Sequence, residues 1–537
     1  MKKLFTKIKD VDELYIFRSL KDKPVSLIAF IGSFIIGILA NGFAMANGYM
    51  NGDGVAYGSY YKSGGWDISQ GRWGLIFFSD RFVTSWFDGL IACFLLAVAA
   101  VLIVKIFKIK SVSIIVSISM LIATQTHFAQ WQGSVYVLFP YAAAFLSAVA
   151  CTDFCEKEGN IYCLLAVITL VFSVSIYQAY VTIVMVLFLI KIVGFFIHEK
   201  PYRYIRRRIL SYFFVGVLSG CIYYIGVQVS LWHYNVQMTG GRGWASAMSG
   251  HLPIFFDTAN TIKSTYKIFF QLLLIDGITL YSKVHKLVYI FLFVTIIYLV
   301  ILNVKREKKI SNKIITVILL IFFPISVVLL RLITETVIPW SMFPAKIFVP
   351  IGMLIFYEDT IKTDFIVRDN SPMIRFIGVG GWGRYGVILG CLFLALESIY
   401  INNVDYSNLK KRNEKTFAAS IRLLDTVEYA KGYEKGMPVI FIGNLGSTYE
   451  NPLREYEETL EGYEAYIMDY LPFHGTGSHG WHTFIRNNLG VVLSMPSDYS
   501  ILYNEIENSD WINTLSIFPD KNCTGIYDGV LVVRIGN

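Results

Sequence analysis

Carboxylates and an arginine gather in the loop that follows the first long apolar run. That run, 25–46, is followed directly by "NGYMNGDGVAYGSYYKSGGWDISQGRW", which ends at residue 73. Asp53 lies between glycines in "NGDG", where the backbone can approach a ligand closely, and Asp67 lies nearer to Arg72. A carboxylate at a membrane edge can act as general base towards a hydroxyl group. Asp53, with Asp67 in reserve, is therefore the candidate base; the alternative is a solvated turn, since Asn-Gly and Asp-Gly favour turns.

Four cations lie near the ends of apolar runs. Arg72 stands in "SQGRW" and Arg242 in "GGRGW", while Arg331 ends one apolar run and Lys346 begins another within "MFPAK". Guanidinium and ammonium groups at this depth can hold a phosphate. Snorkelling to lipid headgroups is the alternative for each of them. The pattern predicts a phosphate-binding set drawn from these four residues.

Two short segments each place an aromatic ring beside an amide. "HFAQWQGS" contains Trp131 and Gln132, and "SIYQAY" contains Tyr177 and Gln178. Ring faces stack on the C–H surfaces of sugars, and amides bond to their hydroxyl groups. The same residue types also form the aromatic belt of a membrane protein. These four residues are predicted to bind a sugar or an acceptor.

A histidine cluster near the C-terminus is a weak candidate for metal binding. His474, His479 and His482 lie in "FHGTGSHGWH", on a glycine-rich loop. No paired cysteine or acid stands at the spacing of zinc ligands. We predict no metal site and no cofactor, and a divalent metal is left open without residues that indicate one.

Composition determines the class of protein. Of 537 residues, 55% are hydrophobic and 16% are charged, and the mean hydropathy is +0.53. Soluble proteins have about 25% charged residues. The net charge of +8 comes from cations clustered in short loops, which follows the positive-inside rule rather than the pattern of a nucleic-acid groove. The sequence predicts a polytopic α-helical protein in a lipid bilayer, with no nucleic-acid partner.

About eleven membrane spans are predicted, since each needs roughly 20 apolar residues. They are placed at 25–46, 88–107, 111–127, 133–150, 161–176, 178–197, 209–231, 286–304, 313–332, 342–357 and 380–400. The N-terminal tail and the basic segments 105–110, 199–208 and 305–309 fall on one side, which the cation bias marks as the cytoplasm. The C-terminus is then expected on the extracytoplasmic side.

Hydropathy falls after residue 400. "MPVIFIG" (437–443) has the pattern of a buried strand and "YDGVLVVRI" (527–535) that of a closing strand. Residues 401–537 are therefore expected to form a small α/β extracytoplasmic domain.

The chain resembles the bacterial O-antigen glucosyltransferases of the Gtr type II family, which have the GT-C architecture. The likeness covers most of the chain and is carried by "NGDG" after the first span, "GRW" at 71–73, "SIYQAY", "MFPAK" and "YDGVLVVRI". Members of this family often carry a pair of acids with an arginine shortly after. Here Gly52 precedes the single Asp53, and the next arginine is Arg72.

The resemblance implies a function and its partners. Residues 1–400 would form the GT-C-like catalytic domain, with Asp53 as its acid. The enzyme would take a sugar, glucose in the first instance, from polyprenyl (undecaprenyl) phosphate and add it to a cell-surface glycan outside the bacterial cytoplasmic membrane. A separate synthase and a flippase would supply the donor lipid.

Two other classes remain as alternatives: a flippase or export component for lipid-linked glycans, and a glycan polymerase. A flippase is expected to have charges along a central cavity through the whole bilayer, whereas here the charges lie at the ends of the spans. The enzyme is therefore preferred over the flippase.

Overall fold

The computed structural model describes residues 24–239, 252–274, 283–306, 310–334, 343–361, 382–443 and 480–536. Helices dominate these residues. They are α1 (Pro24–Asn47), α2 (Gly52–Tyr57), α3 (Gly65–Ser69), α4 (Ser85–Ile106), α5 (Val112–Ala123), α6 (Thr126–Gly133), α7 (Val135–Cys155), α8 (Asn160–Ile176), α9 (Val181–Ile197), α10 (Tyr202–Tyr234), α11 (Pro253–Phe256), α12 (Thr258–Leu274), α13 (Lys283–Arg306), α14 (Ile310–Val327), α15 (Leu330–Ile333), α16 (Phe343–Lys346), α17 (Phe348–Ile361), α18 (Trp382–Glu428), α19 (Gly480–Leu489) and α20 (Tyr499–Glu507).

Within the described ranges, seven helices are long and apolar enough to cross a membrane. They lie at Pro24–Asn47, Ser85–Ile106, Val135–Cys155, Gln178–Ile197, Tyr202–Tyr234, Val284–Leu302 and Tyr385–Glu428. Three predicted spans correspond to shorter apolar helices, at Val112–Phe128, Asn160–Ile176 and Asn312–Val327. The predicted span 342–357 is divided at Ile347 into α16 and α17. The protein is thus a helical membrane protein.

Small residues let the first helices pack closely. α1 contacts α4 and α5, and a methyl group added at Gly37 of α1 would lie 3.2 Å from the Cys93 sulfur. Asn41 of α1 donates to the carbonyl oxygens of Gly37 and Ala123, and its side-chain oxygen accepts from Tyr406 of α18. These bonds satisfy a buried amide and join three helices, as polar groups commonly do between membrane helices.

The loop between α1 and α4 is folded rather than extended. It contains α2, α3, a 3₁₀ turn at Trp73–Phe78, and two short strands, β1 (Tyr60–Tyr61) and β2 (Arg81–Phe82), which pair antiparallel. The start of this loop is bonded to the junction of α6 and α7 through Asn51. The Asn51 backbone N–H donates to the Gly133 carbonyl, and its side-chain amide donates to the Ser134 hydroxyl. Gly54 passes so close to the Gly133 oxygen that a Cβ atom would lie 2.4 Å away. A side chain at position 54 would therefore separate the two segments.

The last span continues into the C-terminal part without a break at residue 400, because α18 runs over 47 residues. A three-stranded sheet follows, made of β3 (Val439–Ile442), β4 (Thr524–Tyr527) and β5 (Val530–Arg534). β5 is central, parallel to β3 and antiparallel to β4, and both predicted strands are confirmed. α19 contacts α2, so the sheet lies on the same side of the helix bundle as the 48–84 loop.

Candidate functional site

Asp53 lies in the first turn of α2, not in an open turn as the glycines suggested. The Asn51 side chain caps this helix by accepting from the Gly54 backbone at 2.8 Å. The Asp53 carboxylate is exposed, and among the described residues no hydrogen bond or ion pair holds it. An acid in a first turn also suits the helix dipole, so position alone does not distinguish a catalytic from a stabilising role. Its exposure leaves it accessible to a substrate.

Asp67 has the opposite environment. It is 1% exposed, and its two oxygens accept from Tyr57 at 3.1 Å, Tyr61 at 2.9 Å and Ser63 at 3.3 Å. Burial raises the pKa of Asp67 above its usual value, although Arg72 and the hydroxyl groups of Tyr61 and Tyr57 oppose the shift. Three donors already occupy the carboxylate, which favours Asp53 over Asp67 as the base.

We expect the stability of the protein to depend on pH because Asp67 is buried. The pKa of Asp67 in the folded protein lies above its value in the unfolded chain, which is about 3.9. Asp67 therefore favours folding most at pH values below the unfolded pKa. This contribution to stability is lost as the pH rises through the folded pKa. The Asp67→Asn variant has no titrating carboxyl group at this position. Its melting temperature in detergent, relative to that of wild type, should therefore rise as the pH increases from about 4. Asp67→Ala should instead melt lower at every pH, because three hydroxyl groups lose their acceptor. A constant difference between Asp67→Asn and wild type across pH would contradict this account.

Arg72 is held at its backbone, while its side chain is left for contact with aromatic rings. The preceding Gly71 has a φ of +75°, its carbonyl accepts from Tyr223, and the Arg72 amide donates to the Asp67 carbonyl. The guanidinium carbon lies 5.3 Å from the centre of the Tyr177 ring. Its Nε is buried and has no hydrogen-bond partner within the part of the chain that the structure describes. Among the described residues no carboxylate pairs with this guanidinium, whereas Arg81 in the same loop is paired with Asp88.

Tyr136 interacts with both Asp53 and Arg72. Its ring stacks on that of Tyr57 at 4.1 Å between centres. Tyr136 interacts electrostatically with Asp53, and Arg72 interacts electrostatically with Tyr136. The exposed carboxylate and the guanidinium therefore both interact with one tyrosine, in the first turn of α7. Sequence analysis missed this residue, since a tyrosine in the first turn of a span has the pattern of an aromatic belt.

The predicted sugar-binding residues have different surroundings in the structure. Gln178 serves the local fold, because its amide donates to the Gln70 carbonyl at 2.6 Å and to Tyr223 at 3.1 Å. Trp131 and Gln132 are buried, and the Trp131 ring nitrogen and both Gln132 amide atoms have no hydrogen-bond partner. Unpaired buried polar atoms are costly, and clusters of them are common where a ligand binds. Tyr177 carries the contact with Arg72.

Two of the other three predicted cations, Arg331 and Lys346, lie within the described residues. Arg331 donates to the Ser264 hydroxyl at 3.0 Å and to the Thr334 carbonyl at 3.1 Å. Lys346 is buried and interacts electrostatically with Glu397, and its helix α16 contacts α6 and the turn at Gln178–Tyr180. Arg242 lies outside the described residues.

The histidine cluster is only partly described. His482 is buried, with its Nε2 3.0 Å from the Val439 carbonyl oxygen, while His474 and His479 lie outside the described residues. Where the chain is described, no group of three or more His, Cys, Asp or Glu side chains could hold a metal ion.

A protein-family model, "Glucosyl transferase GtrII", matches residues 42–357. This is more than half of the chain. The chain belongs to the GtrII family. A GtrII member is a glycosyltransferase, and the resemblance predicted from short motifs is confirmed. No curated protein and no solved structure matches the chain.

The GtrII match covers the whole candidate centre. It begins within α1, includes Asp53, Arg72 and Tyr136, and ends within α17. The helix α18 and the C-terminal sheet lie beyond it. The part of the chain that carries the acid and the guanidinium is therefore the part that the GtrII family shares.

Proposed function

We propose that this glycosyltransferase moves glucose from polyprenyl phosphate to a hydroxyl group of a cell-surface glycan. The observation that carries the proposal is that an exposed carboxylate, Asp53, and a guanidinium that makes no ion pair within the described residues, Arg72, both interact with Tyr136. A reaction that removes a proton and releases a phosphate needs one group of each kind.

The chemistry assigns a role to each group. Asp53 accepts the proton of the acceptor hydroxyl as its oxygen bonds to the anomeric carbon of the donor sugar. The bond from that carbon to the phosphate oxygen breaks, and its electron pair leaves with the polyprenyl phosphate. Arg72 stabilises the negative charge that gathers on this phosphate. A phosphate of low basicity leaves without a general acid.

A lipid donor also needs an apolar site at membrane depth. A cavity of about 360 Å³ lies among α9, α12, α13, α14 and α17. Its walls are almost wholly apolar, with Phe269, Phe293, Phe323 and Val349 among them. Val349 lies in the first turn of α17 and follows Lys346 by three residues, across the break at Ile347. We assign this cavity to the prenyl chain of the donor, with Lys346 near its phosphate end.

The cation bias of the loops supports an orientation in which the N-terminus is cytoplasmic and Asp53 faces outward. The protein would then lie in the bacterial cytoplasmic membrane, with residues 401–537 on the extracytoplasmic side. A separate synthase and a flippase would deliver the donor to this face. A polymerase or flippase would use the same lipid class but would change the glycan differently.

Mass analysis of intact surface glycan from a deletion strain distinguishes these functions. We expect the polymer of the deletion strain to keep its length and to lack one hexose per repeat. The control is the same strain complemented with the gene, which should restore that hexose. Loss of the entire polymer would point to a flippase or polymerase and would overturn the proposal.

A further inference from the structure

The C-terminal domain contributes a surface beside the candidate base. α19 contacts α2, the short helix that carries Asp53. Gly58 ends α2 with a φ of +68°, and a Cβ atom built there would lie 2.9 Å from the side-chain nitrogen of Asn487. Asp53 and Gly58 are five residues apart, about 7.5 Å at helical rise. Asn487 therefore lies at the C-terminal end of the short helix whose first turn carries Asp53.

α19 is built to present polar groups at this place. Trp481, Phe484 and Ile485 are buried beneath the helix and belong to the core of the C-terminal sheet. Arg486 and Asn487 are exposed. The Arg486 Nε donates to the Asn487 side-chain oxygen at 3.3 Å. This bond fixes the two groups together and leaves the Asn487 amide hydrogens and the outer guanidinium nitrogens available as donors.

The chemistry of this pair suits a glycan. An amide and a guanidinium present several donors at fixed positions, and the hydroxyl, amide and carboxylate groups of sugars accept them. The Asn487 side chain is too short to reach lipid headgroups by snorkelling, which requires a long apolar stem. In the proposed function the donor phosphate has its own cation in Arg72.

We propose that Arg486 and Asn487 bind the acceptor glycan, so that the C-terminal domain selects the substrate presented to Asp53. This inference rests on the proposed function, since it assumes that a glycan is the acceptor. It locates acceptor selection beyond the part of the chain that the GtrII family model matches, while the donor chemistry stays within it.

Kinetics with a defined acceptor tests the inference. The probe is one purified oligosaccharide repeat released from the surface polysaccharide of a deletion strain, with polyprenyl-phosphate glucose as donor. Asn487→Ala should raise the acceptor KM about 3- to 10-fold and Arg486→Ala about 10- to 100-fold, as expected for losing a neutral and a charged hydrogen bond. The kcat and the donor KM should stay near wild type.

Asn508→Ala is the matched control. Asn508 is an exposed amide of the same region, and among the described residues its side chain bonds within its own turn, to the Asn504 carbonyl. It should leave the acceptor KM unchanged. A lowered kcat with unchanged KM in the Arg486 and Asn487 variants would overturn the inference, since α19 would then merely position α2. Unchanged kinetics in both would overturn it too.

Calorimetric binding of the same oligosaccharide, without donor, separates this inference from the proposed function. Weaker binding by Asn487→Ala and Arg486→Ala supports the acceptor surface even if no transfer is observed. Transfer by wild type with equal binding in all variants would overturn the acceptor surface and leave the proposed function standing.

Discussion

Asp53→Asn should lower sugar transfer by about 10²–10⁴-fold, the usual contribution of a positioned general base. Asparagine has nearly the shape of aspartate, and the side chain is exposed on the first turn of α2, so expression and membrane insertion should be unchanged. The variant keeps the Asn51 cap and the contact of Gly54 with α6. The measurement is transfer from polyprenyl-phosphate glucose to the acceptor, at matched amounts of protein in membranes.

Asp80→Asn is the control for Asp53. Asp80 is another exposed acid of the same loop, and its φ of +57° is a conformation that asparagine adopts readily. It should transfer sugar at the wild-type rate. Near-normal transfer by Asp53→Asn together with loss in Asp67→Asn would move the base to Asp67. Normal transfer in both would remove the catalytic role of this loop.

Helix positions were predictable because a helix that crosses the bilayer requires a long run of apolar residues. The run at 25–46 became α1, and the buried-strand pattern of 437–443 became β3. The division of 342–357 at Ile347 was not predictable, since apolar composition does not reveal where a helix is interrupted. The continuation of α18 past residue 400 was hidden for a similar reason: hydropathy falls there, but the helix does not end.

The candidate centre was predictable only in part. Asp53 and Arg72 share one loop, so the sequence alone assigned both to the same segment. Tyr136 joins them because Asn51 is bonded to Ser134, 83 positions away, and such a contact leaves no local pattern. Gln178 illustrates the converse: an amide beside an aromatic ring suggested sugar binding, yet its hydrogen bonds go to Gln70 and Tyr223.

Mutagenesis can distinguish Arg72 from Arg331 as the residue that contacts the donor phosphate. Arg72 has its guanidinium over Tyr177 with Nε unpaired, whereas Arg331 already donates to Ser264 and Thr334. Arg331→Ala should therefore lower the melting temperature in detergent and change transfer little at matched protein levels. It is the control for the loss of an arginine that serves the fold.

Arg72→Ala should lower kcat by about 10²–10³-fold, as for removal of one preorganised donor to a developing negative charge. Arg72→Lys should recover only part of this loss, because an ammonium cannot make the planar two-pronged contact with phosphate and packs less well on the Tyr177 ring. Transfer kinetics of both variants, alongside Arg331→Ala, provide the comparison. Full turnover in Arg72→Ala with loss in Arg331→Ala would transfer the phosphate contact to Arg331. The ordering wild type, lysine, alanine is what a guanidinium acting on the leaving phosphate requires.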